Sequence, residues 1–352
     1  MTAAYTPPAA LRLVGTAVDA YLDLFVSGRT ASLLSRPSPV RHNDFDFPVV
    51  VDRIEDVAEG VAALTMSAPS GAELPRWRPG SHVDVFLPSG LQRRYSLCGD
   101  LRDRTHYRIA VRHLPDGAGS TEIHRAIEPG MPLRLRGPRN AFEFVDAPAY
   151  LFIAGGIGIT PILPMARAAA LAGARWHLVY LGRSRATMPF LDELVAMGPE
   201  SVTIRPDDEY GAPEIEALLG MAESGAAVYV CGPPPVLERA QLHAFTANPS
   251  GSLHTERFSA ATVLDGAEFD LVLARSGTTI RVGADEPALA AIRRAVPGAA
   301  YSCRQGFCGT CRVAVLAGEV DHRDRTLTDS ERSTHMLSCV SRAAGKSLTL
   351  DL

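Results

Sequence analysis

At the start of the chain, apolar residues recur at helical spacing. Leu11, Val14, Val18, Tyr21, Leu22 and Phe25 fall on one face of a single amphipathic helix, and Ser35-Arg-Pro-Ser-Pro39 ends the pattern. Residues 1–46 therefore read as an N-terminal extension whose helix packs on the body of the protein. The period then shortens. Phe47–Ile54, Val61–Ser67, His82–Leu87, Arg93–Leu97, His106–His113 and Pro132–Arg136 are short β-prone runs, punctuated by Pro79-Gly80, Pro88-Ser-Gly90, Pro115-Asp-Gly117 and Pro129-Gly130. Strands at this spacing predict a small antiparallel β-barrel over residues 47–147.

Residues 148–258 change character. Tyr150–Ala154, Trp176–Leu181 and Ala226–Cys231 are apolar strands with helical stretches between them, the pattern of an α/β domain with a parallel sheet. Residues 262–352 return to short strands around one helix, Pro287–Val296, and read as a smaller α+β domain. The expected fold is multi-domain: an antiparallel barrel, a parallel α/β sheet and an α+β module.

Composition narrows the function. Hydrophobic residues make up 46% of the chain and charged residues 21%, ordinary values for a protein with buried cores. The formal net charge of −4 gives no footing for a nucleic-acid protein. No stretch reaches the ~18 consecutive apolar residues of a membrane span. The N-terminus lacks a basic start followed by a long apolar run, so no signal peptide is expected. These readings describe a soluble cytoplasmic protein, expected to be a monomer.

The cysteines carry the sharpest signal. Cys303-Arg-Gln-Gly-Phe-Cys308-Gly-Thr-Cys311 has the spacing C-x4-C-x2-C, and Cys339 follows at a distance. This is the plant-type [2Fe–2S] arrangement, with three thiolates from one loop and a fourth from elsewhere. Gly306, Gly309 and Thr310 are small enough for the backbone to wrap closely and aim N–H groups at the sulfurs. Structural zinc is the rival, but zinc sites pair two short arms and here the second arm is a lone cysteine.

Gly155-Gly156-Ile157-Gly158-Ile159-Thr160-Pro161 lies between an apolar strand and a helix. Glycines there permit a tight turn and close approach to a pyrophosphate, which the helix N-terminus attracts. Cys231-Gly232-Pro233 closes a later strand at the same sheet edge, where ligands bind in such folds. Gly182-Arg183-Ser184-Arg185 ends the second strand. Arg183 and Arg185 could bind a 2′-phosphate, contact the pyrophosphate or stand in solvent, so NADH and NADPH both remain open. Arg93-Arg94-Tyr95-Ser96 in the barrel is an R-x-Y-S pattern: a ring to cover an isoalloxazine, a hydroxyl to bond it and an Arg for its phosphate.

Taken in this order, the motifs resemble the phthalate dioxygenase reductase family, which includes vanillate O-demethylase reductases. The resemblance covers roughly residues 47–352 and also rests on Gly119-Ser120, Gly137-Pro138-Arg139-Asn140 and Glu256-Arg-Phe258. It implies FMN, with FAD the alternative, held by Arg93, Tyr95 and Ser96. Its phosphate would lie at Gly119 and Ser120, where Thr121 opens a helix over Thr121–Ile127. The nucleotide would lie on Gly155, Gly156, Gly158, Thr160, Pro161, Cys231, Gly232 and Pro233. The hydride path would run near Thr160, Cys231 and Phe258, with no acid–base residue. Cys303, Cys308, Cys311 and Cys339 would hold the cluster. Here Ala118-Gly119-Ser120-Thr121 stands where the family has Gly-Gly-Ser followed by Arg, one basic contact fewer. The implied activity is electron transfer from NADH or NADPH through flavin and [2Fe–2S] to a terminal oxygenase, either a Rieske non-haem iron enzyme or a cytochrome P450. Arg304, Gln305 and Phe307 are the expected docking face. A stand-alone flavin reductase for small acceptors and a non-catalytic redox sensor are the competing functions.

Overall fold

The computed structural model describes residues 46–352 except 116, 259–262, 264, 302, 303, 307, 308 and 325. The helix expected over residues 11–25, and Cys303, Cys308 and Phe307, lie outside the described residues.

The first sheet has six antiparallel strands: β1 (Asp46–Ala58), β2 (Val61–Ser67), β3 (Ser81–Phe86), β4 (Gln92–Ser96), β5 (His106–Arg112) and β6 (Pro132–Asn140). Their spatial order is β4-β3-β6-β1-β2-β5. The sheet curls toward closure, because Cys98, just past β4, donates its N–H to the Arg108 carbonyl of β5 at 2.8 Å. Val49, Val51, Leu64, Val83, Val85, Leu97, Ile109 and Leu135 fill its interior. The other face is covered in part: Val61, Ala63 and Ala110 on β2 and β5 lie in a core shared with residues of the second sheet, and His82 and Asp84 on β3 are buried as well.

One helix crosses the mouth of this sheet, α1 (Ala118–Ala126). It begins three residues before the expected Thr121, so Gly119 and Ser120 stand in its first turn rather than in a loop ahead of it. The Ser120 hydroxyl accepts from Leu114 N at 3.0 Å and bonds Gly117 O at 2.9 Å, tying the turn down before the first apolar residue of the helix.

The second sheet is parallel, in the order β11-β10-β7-β8-β9. Its strands are β7 (Ala149–Gly155), β8 (Arg175–Gly182), β9 (Val202–Pro206), β10 (Ala227–Cys231) and β11 (Ser252–Glu256). β10 is buried at every position and β7 at all but its last, as central strands covered on both faces should be. Helices α2 (Ile159–Leu171), α3 (Leu191–Met197), α4 (Ile215–Leu219) and α5 (Pro234–Ala247) accompany them. The third sheet joins β12 (Phe269–Leu273), β13 (Thr278–Val282), β14 (Arg312–Ala317), β16 (His335–Leu337) and β18 (Ser347–Leu350) in the order β13-β12-β18-β14-β16. A short pair, β15 (Val320–Asp321) and β17 (Arg342–Ala343), flanks it. Helix α6 (Ala288–Ala295) packs Ala288, Leu289, Ala291 and Ile292 inward and carries Arg293 and Arg294 in its last turn.

From residue 46 onward the chain is one compact unit. Arg108 of β5 clasps Glu193 of α3 with two bonds, at 2.7 and 2.9 Å, and Arg167 of α2 bonds the same carboxylate. The Arg108 guanidinium also lies 4.6 Å above the Phe190 ring. The connector between the sheets is anchored by Tyr229, whose hydroxyl accepts from Val145 N at 2.8 Å and donates to Glu143 O at 3.0 Å. Among the described residues, no helix is long and apolar enough to cross a membrane.

Candidate functional site

The two glycine loops meet because their strands are neighbours. β7 and β10 pair in register, Ala154 opposite Cys231, so both chains leave the sheet at one edge. Gly155 packs on the second loop so closely that a Cβ would stand 2.6 Å from Pro233 Cδ. A Cβ on Gly158 would overlap the Cys231 carbonyl. Gly156 takes φ +54°, a left-handed turn that suits glycine. A single 3-10 turn, Gly156–Gly158, runs into α2; no side chain caps it, and the Ile159 N–H already donates to Gly156 O and Ile157 O, so the uncapped helix start lies at the glycines themselves. Thr160 and Pro161 are buried in that first turn, and the Thr160 hydroxyl donates to Ile157 O at 3.0 Å.

The sequence singled out Arg183 and Arg185 beside this edge. Arg185 pairs with Glu209 through two bonds at 2.7 and 3.0 Å, so a carboxylate already occupies its fork. A third arginine was missed. Arg112, the last residue of β5, reaches from the barrel over Gly156, where a Cβ would lie 3.2 Å from its Nη1. It donates to Thr187 O at 2.9 Å. Burial, and then the charge of Arg183, holds its guanidinium below the ordinary value. Arg112 over the glycine loop, with the Arg183 charge near enough to bear on it, suits an anion there.

On the barrel side, Arg93, Tyr95 and Ser96 lie along β4. Arg93 stretches across the first turn of α1: a Cβ on Gly119 would stand 2.7 Å from both its Cγ and its Nε. No side chain caps that helix end. A bare glycine, an open helix start and a guanidinium together fit a phosphate. The Ser120 hydroxyl is spent on its own turn, and Thr121 Oγ1 lies 3.3 Å from His113 Nε2. Tyr95 is largely desolvated, which pushes its phenol up to about 12 and keeps it neutral.

Between these halves sits Glu256, the end of β11, paired in register with Cys231. It is buried, and its Oε2 meets no hydrogen-bond partner among the described residues. Burial pushes this carboxyl up to about 7 against the pull of the Arg94 charge. Burial likewise holds the Cys231 thiol well above its ordinary range, with the Glu256 charge adding to it. The Cys231 thiol is therefore neutral near pH 7, while the Glu256 carboxyl is only partly protonated there, beside a loop of glycines. Phe258, two residues on, is exposed at the same end.

The cysteine arms converge by strand pairing. β14 and β16 run antiparallel with Arg312 opposite Leu337, which places Cys311 and Cys339 at the same end. Ser338 bonds Cys311 O through its N–H at 3.3 Å and its hydroxyl at 3.1 Å. Both thiols are buried and form no disulfide. The loop before Cys311 turns left-handed at Arg304, Gly306 and Gly309, with φ of +56°, +77° and +72°. A Cβ on Gly306 would stand 2.8 Å from Val340 Cγ2, so the loop closes on the strand end only with glycine there. Thiol donors on a loop this tightly wound fit an iron–sulfur cluster.

Arg304 and Gln305, expected on a docking face, turn toward the chain itself. Gln305 Nε2 donates to Arg257 O, and the Arg304 guanidinium lies 4.9 Å over the Tyr301 ring. The glycine-dictated left-handed turns curl the loop inward and take both side chains with it.

Comparison with known proteins agrees with these parts. Residues 48–144 match the model described as an oxidoreductase FAD-binding domain, and residues 271–344 match the 2Fe-2S iron-sulfur cluster binding domain. The chain is 38% identical over 318 residues to a toluene-4-sulfonate monooxygenase system reductase subunit of Comamonas testosteroni, covering 87% of this chain and 99% of the relative. The solved phthalate dioxygenase reductase superposes with a TM-score of 0.68 at 34% identity, covering 87% of this chain and 98% of that one. An intact type IV self-sufficient cytochrome P450 monooxygenase superposes with a TM-score of 0.67 at 41% identity over 91% of this chain, which spans 43% of that longer one.

Proposed function

The chain belongs to the phthalate dioxygenase reductase family, and from that premise we propose how its own residues divide the work of an electron-transfer reductase. It is an NAD(P)H-dependent flavin and [2Fe–2S] oxidoreductase that supplies a terminal oxygenase, and its flavin is FMN. When bound, the flavin takes the two electrons of NAD(P)H as hydride and releases them singly to a cluster that carries one at a time.

Residues 47–147 form the flavin module, 148–258 the nucleotide module and 262–352 the iron–sulfur module, with 1–46 an extension outside them. Arg93 and the open first turn at Gly119, Ser120 and Thr121 hold the flavin phosphate. Ser120 shapes that turn while the backbone N–H groups do the binding. Tyr95 and Ser96 meet the ring. Gly155, Gly156, Gly158, Thr160 and Pro161, with Cys231, Gly232 and Pro233, let the pyrophosphate approach bare backbone. Arg112 joins Arg183 in neutralising it. Thr160, Cys231 and Phe258 border the entry of the nicotinamide, and the buried Cys231 and Glu256 side chains exclude water there. Cys303, Cys308, Cys311 and Cys339 hold the cluster. The partner is a Rieske non-haem iron oxygenase or a cytochrome P450, and the protein works in the cytoplasm, where thiols stay reduced.

The observation that carries this reading is the meeting of three modules at the cluster loop. Tyr301 bonds β4 of the flavin module, and Gln305 bonds Arg257 at the end of the nucleotide module. The test is Cys339→Ser in the full chain. The variant should keep its flavin and still reduce ferricyanide from NADH, yet fail to reduce cytochrome c or the oxygenase. Undiminished cytochrome c reduction would refute the cluster assignment.

A further inference from the structure

Tyr301 lies two residues before Cys303 and is buried at the seam between the flavin strand and the cluster loop, 7% exposed. Its hydroxyl is fully used. It donates to Gln92 O at 3.0 Å and accepts from Arg93 Nη1 at 3.2 Å. Its ring is held as well: Arg293 of α6 lies 4.2 Å and Arg304 of the cluster loop 4.9 Å from the centroid. Three guanidinium groups thus converge on one tyrosine. Like charges gathered in a half-buried seam cost free energy, and the ring faces and hydroxyl are what offset it.

We propose that Tyr301 is a positioning residue for electron transfer, latching the iron–sulfur module onto the strand that carries the flavin residues Arg93 and Tyr95. This rests on the reading of β4 as the flavin strand. The latch is specific in where it attaches. Its partners are the backbone of Gln92 and the side chain of Arg93, so it fixes the cluster loop to the element that holds the flavin rather than to the sheet in general. With flavin and cluster bound, an electron passing from one to the other would cross between the elements this seam joins, at a rate that would fall steeply with separation. A seam that opens therefore slows that step and leaves hydride transfer from the nucleotide alone.

Tyr301→Phe removes the hydroxyl and keeps the ring between its arginines, so the fold and the cation–π contacts survive. Losing two hydrogen bonds of ordinary net strength should shift the docked-to-undocked balance by roughly tenfold. In the full holoprotein, we expect flavin content and the rate of flavin reduction by NADH to stay native. Cluster reduction, followed by electron paramagnetic resonance, should slow by roughly tenfold. Amide exchange at residues 92–96 should quicken, a readout independent of turnover. Native cluster reduction with unchanged exchange at 92–96 would overturn the proposal. So would a variant that loses flavin or slows in hydride transfer to the same degree, which would make Tyr301 part of the flavin cradle instead. Flavin content of Arg93→Ala, measured alongside, reports on the site reading separately. Full flavin there with slowed cluster reduction in Tyr301→Phe would refute the role of Arg93 and keep the latch.

Discussion

Gly158 and Cys231 touch backbone to backbone: the α-carbon of one lies against the carbonyl of the other, with no room for a Cβ between them. The contact joins the two loops that end β7 and β10, so the nucleotide edge is a single surface. Gly158→Ala must push these loops apart, because a carbonyl within a parallel ladder cannot yield as a flexible side chain would. Overpacking of this kind costs about 1–3 kcal/mol. KM for NADH should rise at least tenfold, roughly the equivalent of one such contact. Flavin and iron content should hold, and steady-state kinetics with cofactor analysis separate the two effects.

Arg112 is the barrel's contribution to that edge. Arg112→Ala should raise KM for NADH by roughly tenfold while kcat changes little, since a phosphate contact binds ground state and transition state alike. A fall in kcat with KM unchanged would place Arg112 at the reacting end of the coenzyme instead.

Arg185 offers a test of coenzyme choice. Its fork is closed by Glu209, and both side chains are exposed, so the pair itself contributes little to stability. Glu209→Gln frees a cation beside the expected ribose site. The ratio of kcat/KM for NADPH over NADH should rise several-fold, as a new phosphate contact would give. An unchanged ratio in paired assays would exclude Arg185 from the ribose pocket.

Glu256 makes stability depend on pH. Its carboxyl is raised from 4.5 to about 7 in the folded chain. The fold therefore holds a proton that the unfolded chain releases earlier. The resulting stabilisation is complete below pH 4.5 and is lost as pH rises through 7. Glu256→Gln removes this dependence. Thermal unfolding should show no difference near pH 4.5 and a variant more stable above pH 7, by on the order of 3 kcal/mol. A difference that does not grow with pH would contradict the burial argument.

Much of this arrangement was legible in the chain because it is local. The C-x4-C-x2-C spacing, the glycine loop after Tyr150–Ala154 and the helix over Pro287–Val296 depend on neighbours in sequence, and the structure has α6 at Ala288–Ala295. The edge strands of the parallel sheet were not legible. Val202–Pro206 and Ser252–Glu256 each have one side open to solvent, so polar and apolar residues mix and no run stands out. Arg112 and Tyr301 escaped for a different reason, and Glu256, quoted within Glu256-Arg-Phe258, was given no role. Their roles come from strands that meet only in the folded chain, and no pattern around Tyr301 announces Arg93, which lies far upstream. The start of α1 was misplaced because Gly119 and Ser120 look like loop residues. The Thr121 N–H bond back to Gly117 O, at 2.9 Å, shows that the turn is already helical.

The most direct test of the central claim is to purify the full chain without oxygen, count its cofactors and titrate it with NADH. About one FMN, two irons and two sulfides per chain are expected, with flavin and cluster both reduced as NADH is added. Zinc in place of iron, absence of flavin, or a cluster that stays oxidised while the flavin is reduced would contradict it.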